Sequence, residues 1–233
     1  MSNGADQFPP DPFAPQELAP EAEAAPAAAK PDLKQSFGQI SMMTKGQEVN
    51  LETLDPTLKH VIVGVGWSAP PEEQGFPVDI DASCFILNRD GRVRRDTDFV
   101  FYNHLETDGG VVKHTGDSTT GEGEGDDEAI ELDLDNMGFD VEKVAFAVTI
   151  HNAEERQQTF GLVKDAYIRI LNKATGQELA HFDLTEDASS DNAIIFGELE
   201  REGASWKFRA LGTGSNGGLY KIAREYGVNV APN

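Results

Sequence analysis

Val78-Asp-Ile-Asp-Ala-Ser-Cys-Phe-Ile-Leu87 reads as a β-strand with two carboxylates set into an apolar run. Successive residues of a strand point to opposite faces, so Asp79 and Asp81 lie on one face. Aspartate is depleted in strands, and burying two of them unpartnered costs several kcal/mol. The pair therefore either points to solvent or holds a cation.

On both sides of this strand the chain keeps to short runs of period two, bounded by Gly, Asn and Asp. Strands are expected at 59–66, 78–88, 98–103, 129–134, 143–151, 165–172, 178–184, 193–201 and 204–212. Asn88-Arg-Asp-Gly91, Lys173-Ala-Thr-Gly176 and Glu202-Gly203 are turn signals that join consecutive strands. Two short helices fit at 153–163 and 218–226. One open sheet of nine strands would leave an apolar face uncovered, so the expected fold is mainly β, a sandwich of two antiparallel sheets with one or two short helices.

Between Asp117 and Asp135 the chain carries nine carboxylates and no Lys or Arg, and Gly121-Glu-Gly-Glu-Gly-Asp-Asp-Glu128 is laced with glycine. Carboxylates this close repel by roughly 1 kcal/mol or more per pair at an effective dielectric near 20, so an ordered loop holding them needs a compensating positive charge. Glycine lets the backbone turn its carbonyl oxygens inward beside the carboxylates. Oxygen-only ligands select hard cations, and a flexible loop rich in ligands suits Ca²⁺ better than the stricter octahedron of Mg²⁺. A solvated acidic loop is the alternative reading of the same run.

The chain has 233 residues, 39% of them hydrophobic, and a net charge of −22. That is enough apolar content for one domain with a core, while the charge repels phosphate backbones and anionic membranes. No nucleic-acid partner is expected, because the one basic cluster, Arg89, Arg92, Arg94 and Arg95, falls in a turn. Cys84 is the lone cysteine and is expected to be a small core residue. The sequence shows neither the signature of a signal peptide nor an apolar stretch long enough to span a bilayer, so a cytoplasmic protein without membrane insertion is expected. The first 34 residues hold seven prolines, nine alanines and six acids. Residues 1–36 accordingly read as a disordered extension, with Phe8 and Phe13 as its apolar points, and residues 37–233 as the folded domain.

Several segments together resemble the TerD family of bacterial tellurite-resistance and general stress proteins. They are Val61-Ile-Val-Gly-Val-Gly-Trp67, Asp79-Ile-Asp-Ala-Ser83, Phe101-Tyr-Asn103, His114-Thr-Gly-Asp117 running into the glycine-acid loop, Val148-Thr-Ile-His-Asn152, Asp183-Leu-Thr-Glu-Asp-Ala188 and Trp206-Lys-Phe-Arg-Ala210. The resemblance covers residues 38 to 230. It implies a β-sandwich that binds calcium, usually as two adjacent ions, with ligand candidates Asp79, Asp81, Asn103, Asp117, Glu122, Asp126, Asp127 and Glu128. It also implies a binding or scaffold role in a stress-response complex with protein partners. Glu124 stands where the family commonly has Asp and is left out of that set.

A metal-dependent enzyme acting on nucleotides or phosphorylated metabolites, with Mg²⁺ or Mn²⁺ on the acid pair, is the competing expectation. The sequence offers it little. Gly212-Thr-Gly-Ser-Asn-Gly217 has dinucleotide-binding spacing, but too few residues follow for a second strand and its ribose-binding acid. His60, His151 and His181 fall in strands as hydrogen-bonded structural histidines, without zinc spacing.

Overall fold

A computed structural model describes residues 40–68, 78–116, 125–184 and 189–230. The expected N-terminal extension lies outside the described residues, as do Asp117 and Glu122. The strands are β1 (Ser41–Met43), β2 (Glu48–Asn50), β3 (His60–Ser68), β4 (Ile80–Leu87), β5 (Phe99–Val100), β6 (Val112–His114), β7 (Glu128–Asp133), β8 (Lys143–Ile150), β9 (Lys164–Asn172), β10 (Glu178–Asp183), β11 (Ala193–Glu202) and β12 (Ser205–Ser215). The helices are α1 (Leu51–Leu54), α2 (Ala153–Arg156) and α3 (Gly218–Glu225).

The strands form two six-stranded sheets, β1-β10-β9-β3-β7-β6 and β2-β12-β11-β8-β4-β5, and so make the expected β-sandwich. All pairings are antiparallel except β1 with β10. The period-two pattern is met directly in β3: Val61, Val63, Val65 and Trp67 enter the core between the sheets, and Ile62, Gly64 and Gly66 lie on the outer face. Ile80, Ala82, Cys84 and Ile86 of β4 meet them from the second sheet.

The outer face of that second sheet is covered as well. Phe85 and Leu87 of β4, with Ala145 and Ala147 of β8, pack under Ile222 and Ala223 of α3. Phe99 is sandwiched between Phe85 and Phe101, its ring centroid 4.6 Å and 4.3 Å from theirs. Apolar residues on both faces of β4 are why its run carries so little polar alternation.

The expected helix at 153–163 is one turn only. Gln157 takes a left-handed φ of 53° and ends it, and the chain then turns inward to bury Phe160, with Gly161 N donating to Ser189 O at 2.8 Å. Among the described residues no helix is long and apolar enough to cross a membrane.

Candidate metal centre

The two-residue β5 pairs with β4 only at Cys84 and Phe85, so the Asp81–Ala82 stretch has no strand neighbour on that side among the described residues. Side chains of the first sheet take the place of a strand. Glu128 Oε2 accepts from Ala82 N at 2.5 Å, and His114 Nε2 lies 3.2 Å from Ala82 O and 3.3 Å from Glu128 Oε2. Gly116 N donates to His114 Nδ1 at 3.3 Å, which leaves Nε2 as the nitrogen that carries hydrogen toward these two oxygens.

Glu128 reaches this position because Ile130 and Leu132, its period-two neighbours on β7, pack in the core and carry it onto the same inner face. Its side chain and that of His114 are both 0% exposed. Burial, with the charge of Asp81 adding to it, pushes the Glu128 carboxyl up to about 7, against the lowering effect of His114 and the Ala82 amide.

Asp81 is itself buried, and its Oδ2 lies 3.4 Å from His151 Nδ1. That contact raises the affinity of His151 for a proton, with burial opposing and Asp79 assisting. Asp79 anchors the same histidine through its backbone, accepting from His151 N at 2.8 Å. Asp81 and His151 line a cleft of about 570 Å³ with Tyr102, Thr149, Asn192 and Lys221.

The structure thus brings together Asp81 and Glu128, joined through the Ala82 peptide, with Asp79 one strand step away. Asn103 sits exposed in the turn bridged by Phe101 and His104, beside Tyr102 of the cleft. Asp127 continues the β7 ladder along β3: its N donates to Val65 O at 2.9 Å and its Oδ2 accepts from Trp67 N at 2.8 Å. Among the described residues no group of three or more His, Cys, Asp or Glu side chains is arranged to hold a metal ion.

Asp126 goes elsewhere. Gly125 turns the chain at a φ of 101°, and the Asp126 carboxylate lies on the outer face of the first sheet, over Gly64. Its Oδ1 accepts from Arg169 Nε at 2.7 Å and Tyr167 OH at 3.0 Å. Arg169 Nη1 continues to Glu178 at 3.0 Å, and Glu178 to His181 Nδ1 at 2.8 Å. The His181 ring stacks on Tyr167 with centroids 4.9 Å apart. Burial works against the charge of Arg169, but Asp126 and Glu178 outweigh it and hold the guanidinium above its ordinary value.

Sequence reasoning did not single out His114, Tyr167 or Arg169 for this region. The signal was present for the last two, because Tyr167 and Arg169 pair across strands with Gly66 and Gly64, which leave room on the sheet for large side chains.

The glycine-rich run before α3 has an internal occupant. Asn192 Oδ1 accepts from Gly217 N and Gly218 N, both at 3.2 Å, so a side-chain amide stands where a phosphate would accept in a dinucleotide fold.

At the Asp81–Glu128 edge two buried carboxylates stand with His114 and His151 beside them, and carboxylate oxygens are the ligand type a hard cation takes. Comparison with known proteins points the same way as the fold. The chain is 48% identical over 189 residues to tellurium resistance protein TerD of an Alcaligenes species, covering 81% of this chain and 98% of that one. It is 45% identical over 188 residues to general stress protein 16U of Bacillus subtilis (strain 168), covering 81% and 97%. A crystal structure of a homologue of telluride resistance protein (TerD) from Streptomyces coelicolor A3(2) shares the fold, with a TM-score of 0.59, 23% identity, and 71% of this chain and 95% of that one covered. The model of the TerD domain matches residues 39–226, and the chain belongs to the TerD family.

Proposed function

We propose that this protein is a calcium-binding module of a cytoplasmic response to tellurite or other chemical stress, acting through ion-dependent contacts with protein partners and not through catalysis. The observation that carries the reading is the buried Glu128 carboxyl near Asp81, where side chains of the first sheet cap the edge of β4. A divalent cation there would relieve the repulsion of the two carboxylates and the cost of ionising Glu128. Asp81 and Glu128 would hold it, joined by Asp79, Asn103 and Asp127 and by Asp117 and Glu122 of the acidic loop. The stress association rests on relatives named for tellurium resistance, general stress and, in Clostridium acetobutylicum, resistance to a chemical-damaging agent.

In this reading the ion ties the glycine-acid loop to the β4 edge, and its arrival or loss alters the surface offered to a partner. Thermal unfolding in chelator, then in millimolar Ca²⁺, then in equal Mg²⁺, tests it. Saturation at 100 times the Kd adds roughly 2.7 kcal/mol, several degrees for a domain of this size. A large shift with Ca²⁺ and little with Mg²⁺ is expected. No shift with Ca²⁺, or a shift chiefly with Mg²⁺, would overturn the reading, and the second result would favour a phosphoryl-handling enzyme.

A further inference from the structure

Asp126 lies inside the run of acids from which calcium ligands are drawn, yet its surroundings are those of a finished ion pair. Its side chain is 15% exposed and that of Arg169 14%, so the pair is largely withdrawn from water. A half-buried guanidinium bonded through Nε to one carboxylate oxygen, with a phenol on the same oxygen, satisfies that oxygen without an ion. The sheet is shaped for it. A β-carbon on Gly64 would overlap the Asp126 carboxylate, and one on Gly66 the Tyr167 ring. A divalent ion bound to Asp126 would stand beside the Arg169 charge and be repelled by it.

We infer that Asp126 is the anchor of the acidic segment and not an ion ligand: Arg169 and Tyr167 hold its carboxylate on the outer face of the first sheet, and this fixes Asp127 against β3 and Glu128 against β4. Three consecutive acids are thereby fastened to three different strands. Asp126 goes to β9, Asp127 to Trp67 N of β3, and Glu128 to Ala82 N of β4. Arg169 is a positioning residue for whatever the segment binds. The inference rests on the calcium reading for its consequence in affinity, while the anchor itself is a property of the chain alone.

The experiment takes the full chain and its Arg169→Met, Tyr167→Phe and Asp126→Asn variants, and reads two things. The first is backbone amide exchange of residues 125–129 in chelator. Arg169→Met and Asp126→Asn should speed it clearly and Tyr167→Phe by a smaller factor, since Tyr167→Phe removes one donor and keeps the stacking on His181. Unchanged exchange in Arg169→Met would overturn the anchor.

The second reading is Ca²⁺ titration by calorimetry. An anchor predicts the same number of ions in all variants, with Kd weakened by about tenfold in Arg169→Met and Asp126→Asn, and a double variant no worse than either single one. Loss of one ion in Asp126→Asn, or tighter binding in Arg169→Met, would make Asp126 a ligand and sink the inference. If the wild-type chain takes up no Ca²⁺, the calcium reading fails and amide exchange alone decides the anchor.

Discussion

The Oε2 oxygen of Glu128 accepts the amide proton of Ala82 at 2.5 Å, so a side chain of one sheet completes the backbone hydrogen bonding of the other. Glu128→Ala would leave the Ala82 amide and the His114 ring without that acceptor inside the protein. A cost of about 2 kcal/mol or more is expected in chelator, read as a lower urea midpoint. Glu128→Gln can still offer an oxygen to Ala82 and should unfold close to wild type in chelator. It should nonetheless lose most of any Ca²⁺-dependent gain, which separates the structural use of this side chain from its use toward an ion.

Arg201 holds the loop between β7 and β8. Its Nε donates to Val141 O at 2.8 Å, its Nη2 to Gly138 O at 2.9 Å and Met137 O at 3.3 Å, and the guanidinium lies 4.4 Å from the Trp206 ring centroid. Arg201→Met should cost roughly 2–3 kcal/mol, a fall in Tm of about 5 °C or more. Arg201→Lys should recover less than half of that, because a single ammonium cannot reach three carbonyls from one plane. Differential scanning calorimetry in chelator would measure both.

His181 links stability to pH. The bond to Glu178 is the main cause of its raised proton affinity, with burial opposing and Asp183 adding. A histidine whose folded value lies above the ordinary 6.5 contributes stability that is fully present below 6.5 and is lost as pH rises through the folded value. In chelator, the urea midpoint of the wild-type chain should therefore fall between pH 6 and pH 8 relative to His181→Gln. Parallel curves for the two proteins would show that the network does not depend on the charge of this ring.

Cys84 is 0% exposed on β4, and burial pushes its thiol well above the ordinary range. It should not react with a thiol reagent such as dithionitrobenzoate in the native chain, and should release one equivalent of chromophore in denaturant.

The fold was legible because the two-residue period is strong where strands are long. β3, β8, β9, β11 and β12 lie within a few residues of the expected spans, and the turn at Asn88–Gly91 closes as expected, with Gly91 N donating to Asn88 O at 3.0 Å. Three-residue β1, β2 and β6 are too short to show a period, and they exist because neighbouring strands recruit them. The parallel pairing of β1 with β10 is a matter of where the chain enters the sheet, which no local pattern records.

The candidate site was legible in part for the same reason. Asp79 and Asp81 announced themselves as acids in an apolar strand, and Glu128 as the end of an acidic run. That Asp126 turns to Arg169 while Glu128 turns inward depends on the bend at Gly125 and on bare sheet at Gly64, both of them tertiary facts. His114 was hidden because a histidine in a strand gives no sign of the carbonyl and carboxylate it will meet.

Trp67 can report on a cation at the Asp81–Glu128 edge, since its backbone amide bonds the Asp127 carboxylate and the residue lines one pocket with Gly125 at the start of the acidic segment. Chelator-treated protein carrying Trp206→Phe would be titrated with Tb³⁺, a luminescent stand-in for Ca²⁺, under tryptophan excitation. Sensitised emission that Ca²⁺ displaces and Mg²⁺ does not is expected, and it should fall sharply in Glu128→Gln and Asp81→Asn. Absence of sensitised emission, or emission that both variants retain in full, would contradict a cation site at the Asp81–Glu128 edge.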